Sequence, residues 1–446
     1  MVFSSFSFIF LFFPVFLALY WGIPRKFCMA FLAIGSLVFY AIGVREEPWQ
    51  LGLLLGLTVF GTLGCLLFSR ASLRKKPLLA LWIAVIAGPL IYVKLMGLFT
   101  DNAPELPLGL SFYTFQLIAL LIYAFKGGKS SFMSVVTCTL MFPKLISGPL
   151  TEPDTILSSI AYPNRSHARL DDGLERFILG LALKVVVADH LAGVPGQIRT
   201  WGAEAMSVPM AWLGILCYTL QLYFDFWGYS SMAVGLGLML GIRLPENFDN
   251  PYCASSVAEF WRRWHITLGT WFRNYIYIPM GGSHQGTFRM VLSTLTVWLL
   301  TGLWHGGGWN YVAWGLMMFA LIMGERVFYG NWLKRHPFWG HIYVPLLIGL
   351  SWIFFMTTSL GNAVGYFYRL TGGGGIVGSA RDWQDALRGC WHFLAIGLAL
   401  STPLPKKLWQ KISGTGLAWL LLFNLFWICI YFLATATSNP FLYFSF

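Results

Sequence analysis

MVLSTLTVWLLTGLWHGGGWNYVAWGLMMFALIMG, residues 290–324, reads as two membrane-depth helical segments meeting at a glycine-rich break, and its one side chain titrating near neutral pH is His305. An ionisable group at such depth costs several kcal/mol unless something uses or satisfies it, which makes His305 a candidate functional residue. The competing reading is a satisfied packing residue. The flanks favour function: Gly302 and Gly306 to Gly308 allow close approach by another backbone or a ligand. Trp304 and Trp309 are suited to wall a pocket. Such a cavity would hold a thin acyl chain or a pantetheine arm.

The rest of the chain is apolar too. Of 446 residues, 57% are hydrophobic and only 11% charged, with Phe, Trp and Tyr at 17%, far below the roughly 25% charged residues of a soluble domain. The expected class is an all-α polytopic membrane protein. Runs long enough to span lie near 6–22, 27–43, 50–69, 78–98, 106–125, 174–194, 208–226, 288–304, 309–324, 342–358, 388–402 and 415–435. A short run at 229–242 and the Pro-containing 133–150 suit half-spans or re-entrant pieces buried in protein. About eleven spans are expected on this basis.

The first run lacks a preceding positive charge and a cleavage-site pattern before Arg25 and Lys26, so it is expected to stay in the membrane rather than be removed. Arg25 and Lys26, then Arg70, Arg74, Lys75 and Lys76, then Lys126 and Lys129 mark alternate loops. The loops between carry Glu46, Glu47, Asp101 and Glu105. By the positive-inside rule the N-terminus is expected outside. The net charge of +12 suits anionic lipid headgroups better than nucleic acid. The seven cysteines are scattered through apolar runs with no metal-ligand spacing, and read as small buried hydrophobes. No internal repeat suggests a two-half transporter. Polar connections are expected at 151–176 and around Gly372 to Gly375.

RLPENFDNPYCASSVAEFWRRWHITLGTWFRNYIYIPMGGSHQGTFR (243–289) is the informative polar stretch. Ser256 and Glu259 have capping-box spacing. Val257, Phe260, Trp261, Trp264, Leu268, Trp271 and Phe272 recur at helical spacing. Arg262, His265 and Arg273 fall on the other side, predicting one amphipathic helix at a membrane interface. A scaffold helix anchored by indoles, with arginines on lipid phosphates, is the plain reading. His265, between the two faces, is placed to point toward a substrate.

These phrases, with SFYTFQ (111–116), FPKLISGPL (142–150), ALKVVVADHLA (182–192), YFDFWGYSSMAVG (223–235), PENFDNPY (245–252) and GLWHG (302–306), carry a resemblance. The chain resembles the membrane-bound O-acyltransferase (MBOAT) family, specifically its bacterial branch of alginate O-acetylation and lipoteichoic-acid D-alanylation proteins. The resemblance runs from the opening MVFSS to about residue 368. It implies helices around a central tunnel, in which an acyl group passes from a thioester donor to a hydroxyl. It places His305 at the catalytic histidine and His265 at the second signature position. One MBOAT domain over 1–446 is then expected, with N-terminal helices (1–130), an acyltransferase core (131–330) and C-terminal helices (331–446).

An imidazole suits the proton transfer, and burial would keep His305 neutral and basic. His265, or a nearby Asn or indole N–H, is suited to orient the donor or stabilise the oxyanion. Arg262 and Arg263 are candidates for donor phosphates or, equally, lipid headgroups. Trp261, Asn247, Asp225, Tyr229, Trp304 and Asn310 complete the candidate substrate or donor-binding residues. No bound cofactor or metal is expected; an acetyl-CoA or carrier-linked thioester enters as substrate. The sequence departs from the branch at Ala119, Leu120 and Tyr123, at Ser231 in place of Asp, and at Met356 in place of Arg. The acceptor path and partner surface are where those changes bear.

The function expected is acetyl, or small-acyl, transfer in the bacterial cytoplasmic membrane to an extracellular or periplasmic polysaccharide, directly or through a periplasmic or membrane-anchored partner, as in exopolysaccharide or alginate biosynthesis. D-alanyl transfer to teichoic acid is the alternative within the class. A flippase for acylated lipid, with His305 as proton relay, is the alternative outside it.

Overall fold

The computed structural model describes residues 2–436 except 74, 101, 203–204 and 375–378, so Arg74, Asp101 and Gly375 of the expected loops lie outside the described residues. Among the described residues, eight helices are long and apolar enough to cross a membrane: α2 (Arg25–Gly43), α3 (Trp49–Phe68), α4 (Lys76–Phe99), α9 (His167–Trp201), α13 (Gly286–His305), α14 (Trp309–Arg335), α15 (Pro337–Met356) and α19 (Gly416–Thr435). Two shorter apolar helices are α1 (Ser7–Gly22) and α5 (Leu110–Phe125). The other α-helices among the described residues are α6 (Phe132–Leu140), α7 (Phe142–Leu145), α8 (Pro153–Ala161), α10 (Val208–Met239), α11 (Val257–Arg263), α12 (Ile266–Phe272), α16 (Leu360–Leu370), α17 (Asp382–Leu400) and α18 (Leu404–Ile412). The all-α polytopic class is as expected.

Two expectations are corrected. The runs 208–226 and 229–242 form one helix, α10, because Trp227 and Gly228 continue it without a break. The amphipathic helix expected through Trp261 and Phe272 is instead two, α11 and α12, divided at His265.

Helix α10 is the buried spine. It packs most extensively on α9, and the reason is a pair of matched glycines. A Cβ on Gly180 would lie 2.7 Å from the Gly228 carbonyl, and one on Gly173 2.7 Å from that of Gly235. Small residues let membrane helices meet backbone to backbone, where dispersion and weak polar contacts replace the absent hydrophobic drive. Where this seam ends, Lys184 pairs with Asp225 of α10 at 3.1 Å and with Asp189. The antiparallel pair α13 and α14 is brought equally close, a Cβ on Gly302 coming within 2.4 Å of the Tyr311 carbonyl and one on Gly315 within 2.4 Å of that of Trp298.

The segment 133–150 does not span. It breaks before Pro143 into α6 and α7, and residues 141–151 are buried. Non-helical backbone is tolerated at depth only inside protein. Here Lys144 donates to Gln116 Oε1 (2.7 Å) and Thr151 Oγ1 (3.1 Å).

Candidate active site

His305 is the last residue of α13 and is 8% exposed. Its ring lies 4.5 Å from the Trp304 ring, and edge-on to Trp314 (5.2 Å) and Phe355 (4.9 Å), which come from α14 and α15. The turn after it is possible because the following positions are glycines: a Cβ on Gly306 would meet the Tyr311 ring at 2.1 Å, and one on Gly307 would lie 2.5 Å from Gly97 Cα of α4.

His265 sits in the break between α11 and α12 with φ 44° and ψ 51°. Left-handed backbone costs a non-glycine residue roughly 1–2 kcal/mol. The segment 247–249 holds it there. Asp249 N–H donates to the Arg263 carbonyl and Ile266 N–H to the Asn247 carbonyl, each at 3.0 Å, framing the bridge between Phe248 and Trp264. The Asn247 side-chain oxygen accepts from the Thr267 hydroxyl at 2.6 Å and from the Thr267 N–H at 3.3 Å. Strain maintained by so many contacts is a mark of functional positions. The His265 ring packs edge-on to Phe226 at 4.7 Å and lies 6.1 Å from Trp304. Trp304 thus contacts both histidines.

Two cavities flank this group. One of about 50 Å³ is lined by His305, Trp304, Phe112 and the 106–111 segment. Another of about 380 Å³ is lined by Glu152, Arg243, Glu246, Thr151, Thr267, Trp271 and Tyr275, beside α12. Between them stands an aromatic partition. Trp271 stacks on Phe115 at 4.3 Å and donates its indole N–H to the Phe115 carbonyl at 3.0 Å. Phe115 in turn lies 6.1 Å from Trp304.

The other candidates fall in different places. Trp261 packs on Trp298 (4.9 Å) and Trp314 (5.6 Å), behind the His305 ring. Arg263 pairs with Glu259 at 2.6 Å, and Arg262 is exposed. Ser256 accepts from the Glu259 N–H at 3.1 Å, but the Glu259 carboxylate serves Ser255 and Arg263 rather than Ser256 N–H, so the capping box is half made. The α11 N-terminus is held instead by Glu325, whose carboxylate accepts from Val257 and Ala258 N–H, the favourable sign for a helix start. Asn310 is spent on the Phe354 and Thr357 carbonyls at 2.7 and 3.2 Å. Asp225 lies in the α9–α10 seam, and Tyr229 stacks on Phe3 at 4.8 Å. Trp309 does not wall the cavity: it is 57% exposed, because the first turn of α14 turns Asn310 inward and Trp309 outward. Of the positions that depart from the family pattern, Ser231 and Met356 are buried and Tyr123 is half-buried.

A buried imidazole beside a small cavity, with a larger cavity on the far side of an aromatic partition, suits group transfer between two separately admitted substrates. Residues 58–364 match the MBOAT, membrane-bound O-acyltransferase family, and the chain belongs to that family. It is therefore an acyltransferase. It is similar to the probable alginate O-acetylase AlgI of Pseudomonas putida, 34% identical over 86% of this chain and 81% of the relative. It is similar too to the peptidoglycan O-acetyltransferase of Helicobacter pylori, 30% identical over 84% of this chain and 81% of the relative. The teichoic acid D-alanyltransferase of Bacillus subtilis is 28% identical over 57% of this chain and 69% of its own length.

Proposed function

We propose that this membrane O-acyltransferase moves an acetyl group from a thioester donor, acetyl-CoA or a carrier-linked acetyl, to hydroxyls of an envelope polysaccharide, with His305 as general base. The observation that carries the reading is the His305 ring at the wall of the small cavity, one aromatic layer from the larger one. A cavity of about 50 Å³ has room for a two-carbon acyl group. The acceptor hydroxyl gives its proton to the imidazole as its oxygen bonds the thioester carbonyl carbon. The tetrahedral intermediate collapses, the C–S bond breaks, and the imidazolium returns the proton to the departing thiolate. His265 serves donor orientation or oxyanion stabilisation from its fixed position across Trp304.

Donor entry through the 380 Å³ cavity from the cytoplasm, the N-terminus outside, residence in the cytoplasmic membrane and hand-over through a periplasmic or membrane-anchored partner complete the proposal. The O-acetylase names of the relatives matched over most of both chains support acetyl over D-alanyl transfer. The test is the O-acetyl content of host envelope polysaccharides, by mass spectrometry, in wild type, a deletion, and the deletion complemented with His305→Ala at matched membrane levels. Loss in both altered strains is expected. Full acetylation by the variant would remove His305 from the chemistry; unchanged acetylation in the deletion would redirect the search to D-alanine.

A further inference from the structure

Lys94 stands near the end of α4, inside a membrane-spanning helix, and is 9% exposed. A lysine is strongly disfavoured at such depth unless something holds it, and none of the ion pairs among the described residues includes it. Its ammonium instead donates to the His305 carbonyl at 3.3 Å. That carbonyl ends α13, where the chain leaves the helix at Gly306 (φ −166°, ψ 156°), and carbonyls in the last turn of a helix draw donors from outside it. The C-terminal end of a helix carries partial negative charge, which an ammonium offsets.

One turn further along α4 a second contact fixes the same register. A Cβ on Gly97 would lie 2.9 Å from Gly307 Cα, so the two backbones touch. Helix α4 is thereby pinned to the turn that carries His305 at two points, one polar and one steric. Any shift of the His305 carbonyl rotates its Cα–Cβ bond and moves the imidazole against Trp304, Trp314 and Phe355.

We infer that Lys94 is a positioning residue for the acyl transfer: by capping α13 at the His305 carbonyl it sets where the imidazole stands at the cavity wall. The inference rests on the reading of His305 as general base. A helix cap with no bearing on chemistry is the competing role, and it predicts loss of stability in proportion to loss of activity.

The experiment complements the deletion strain with Lys94→Met, Lys94→Arg and His305→Ala at matched membrane levels. It measures polysaccharide O-acetyl content and the thermal midpoint of each purified variant in detergent. Lys94→Met keeps the length and removes the donor; at least a tenfold loss of acetylation is expected with a midpoint within a few degrees of wild type. Lys94→Arg restores a donor and is expected to recover acetylation to within about threefold. Acetylation by Lys94→Met above half of wild type overturns the inference, as does a loss that follows a lowered midpoint and that arginine does not restore. An inactive His305→Ala beside an active Lys94→Met refutes the role of Lys94 alone, whereas an active His305→Ala refutes the general base and this inference with it.

Discussion

Asn247 and Thr267 are joined twice, the carboxamide oxygen of the first accepting both the hydroxyl and the backbone N–H of the second. The link closes over His265, two residues before Thr267, and keeps it left-handed. Asn247→Ala leaves a buried hydroxyl and amide without their acceptor, a loss of about 1–3 kcal/mol. We expect a lower thermal midpoint in detergent and at least tenfold lower transfer. Wild-type transfer at a lowered midpoint would make the clamp purely structural.

Replacing His265 itself separates strain from chemistry. Glycine adopts the φ of 44° without the Cβ penalty and alanine does not. His265→Gly should therefore melt higher than His265→Ala, by the equivalent of about 1 kcal/mol, while both transfer poorly. Equal midpoints would mean that the backbone relaxes once the ring is gone.

Trp271→Ala removes one layer of the partition that Trp271, Phe115 and Trp304 build. Water admitted to the reacting thioester competes with the acceptor. The expected result is thiol release from acetyl-CoA in the absence of acceptor, raised severalfold over wild type, together with diminished transfer. A variant whose thiol release still requires acceptor would show that the partition does not exclude water.

Asp225→Ala should act on stability rather than turnover. It removes one of the two carboxylates paired with Lys184, a residue 2% exposed at the side chain; Asp189 remains, so the loss falls below the roughly 3–5 kcal/mol of a buried charge left unpaired. Reduced membrane levels are expected, with transfer per folded molecule near wild type. A normal level with abolished transfer would place Asp225 in the chemistry instead.

Periodicity made the spans legible, since an apolar run of sufficient length has few alternatives in lipid. It was less informative where two short runs abutted at Trp227 and Gly228, because nothing in hydropathy alone distinguishes a continued helix from a turn there. The break at His265 was hidden for another reason: it is imposed by residues 247–249 through tertiary hydrogen bonds, while the local spacing favours a continuous helix. Lys94 was visible in principle, lying inside the run 78–98 and subject to the same argument as His305. Its partner was not visible, since a backbone carbonyl leaves no mark in a sequence. Phe115 and Trp271 read as ordinary core residues, and only their contact across α5 and α12 makes them a partition.

The glycine seam between α9 and α10 limits how the protein can breathe. Backbones already in contact at Gly180 and Gly228, and at Gly173 and Gly235, leave no slack for sliding or tilting, so these two helices behave as one stiff beam. Trp271 rides outside that beam, on α12, the seven-residue helix that follows the break at His265, so any movement of the aromatic partition falls to the elements that carry it.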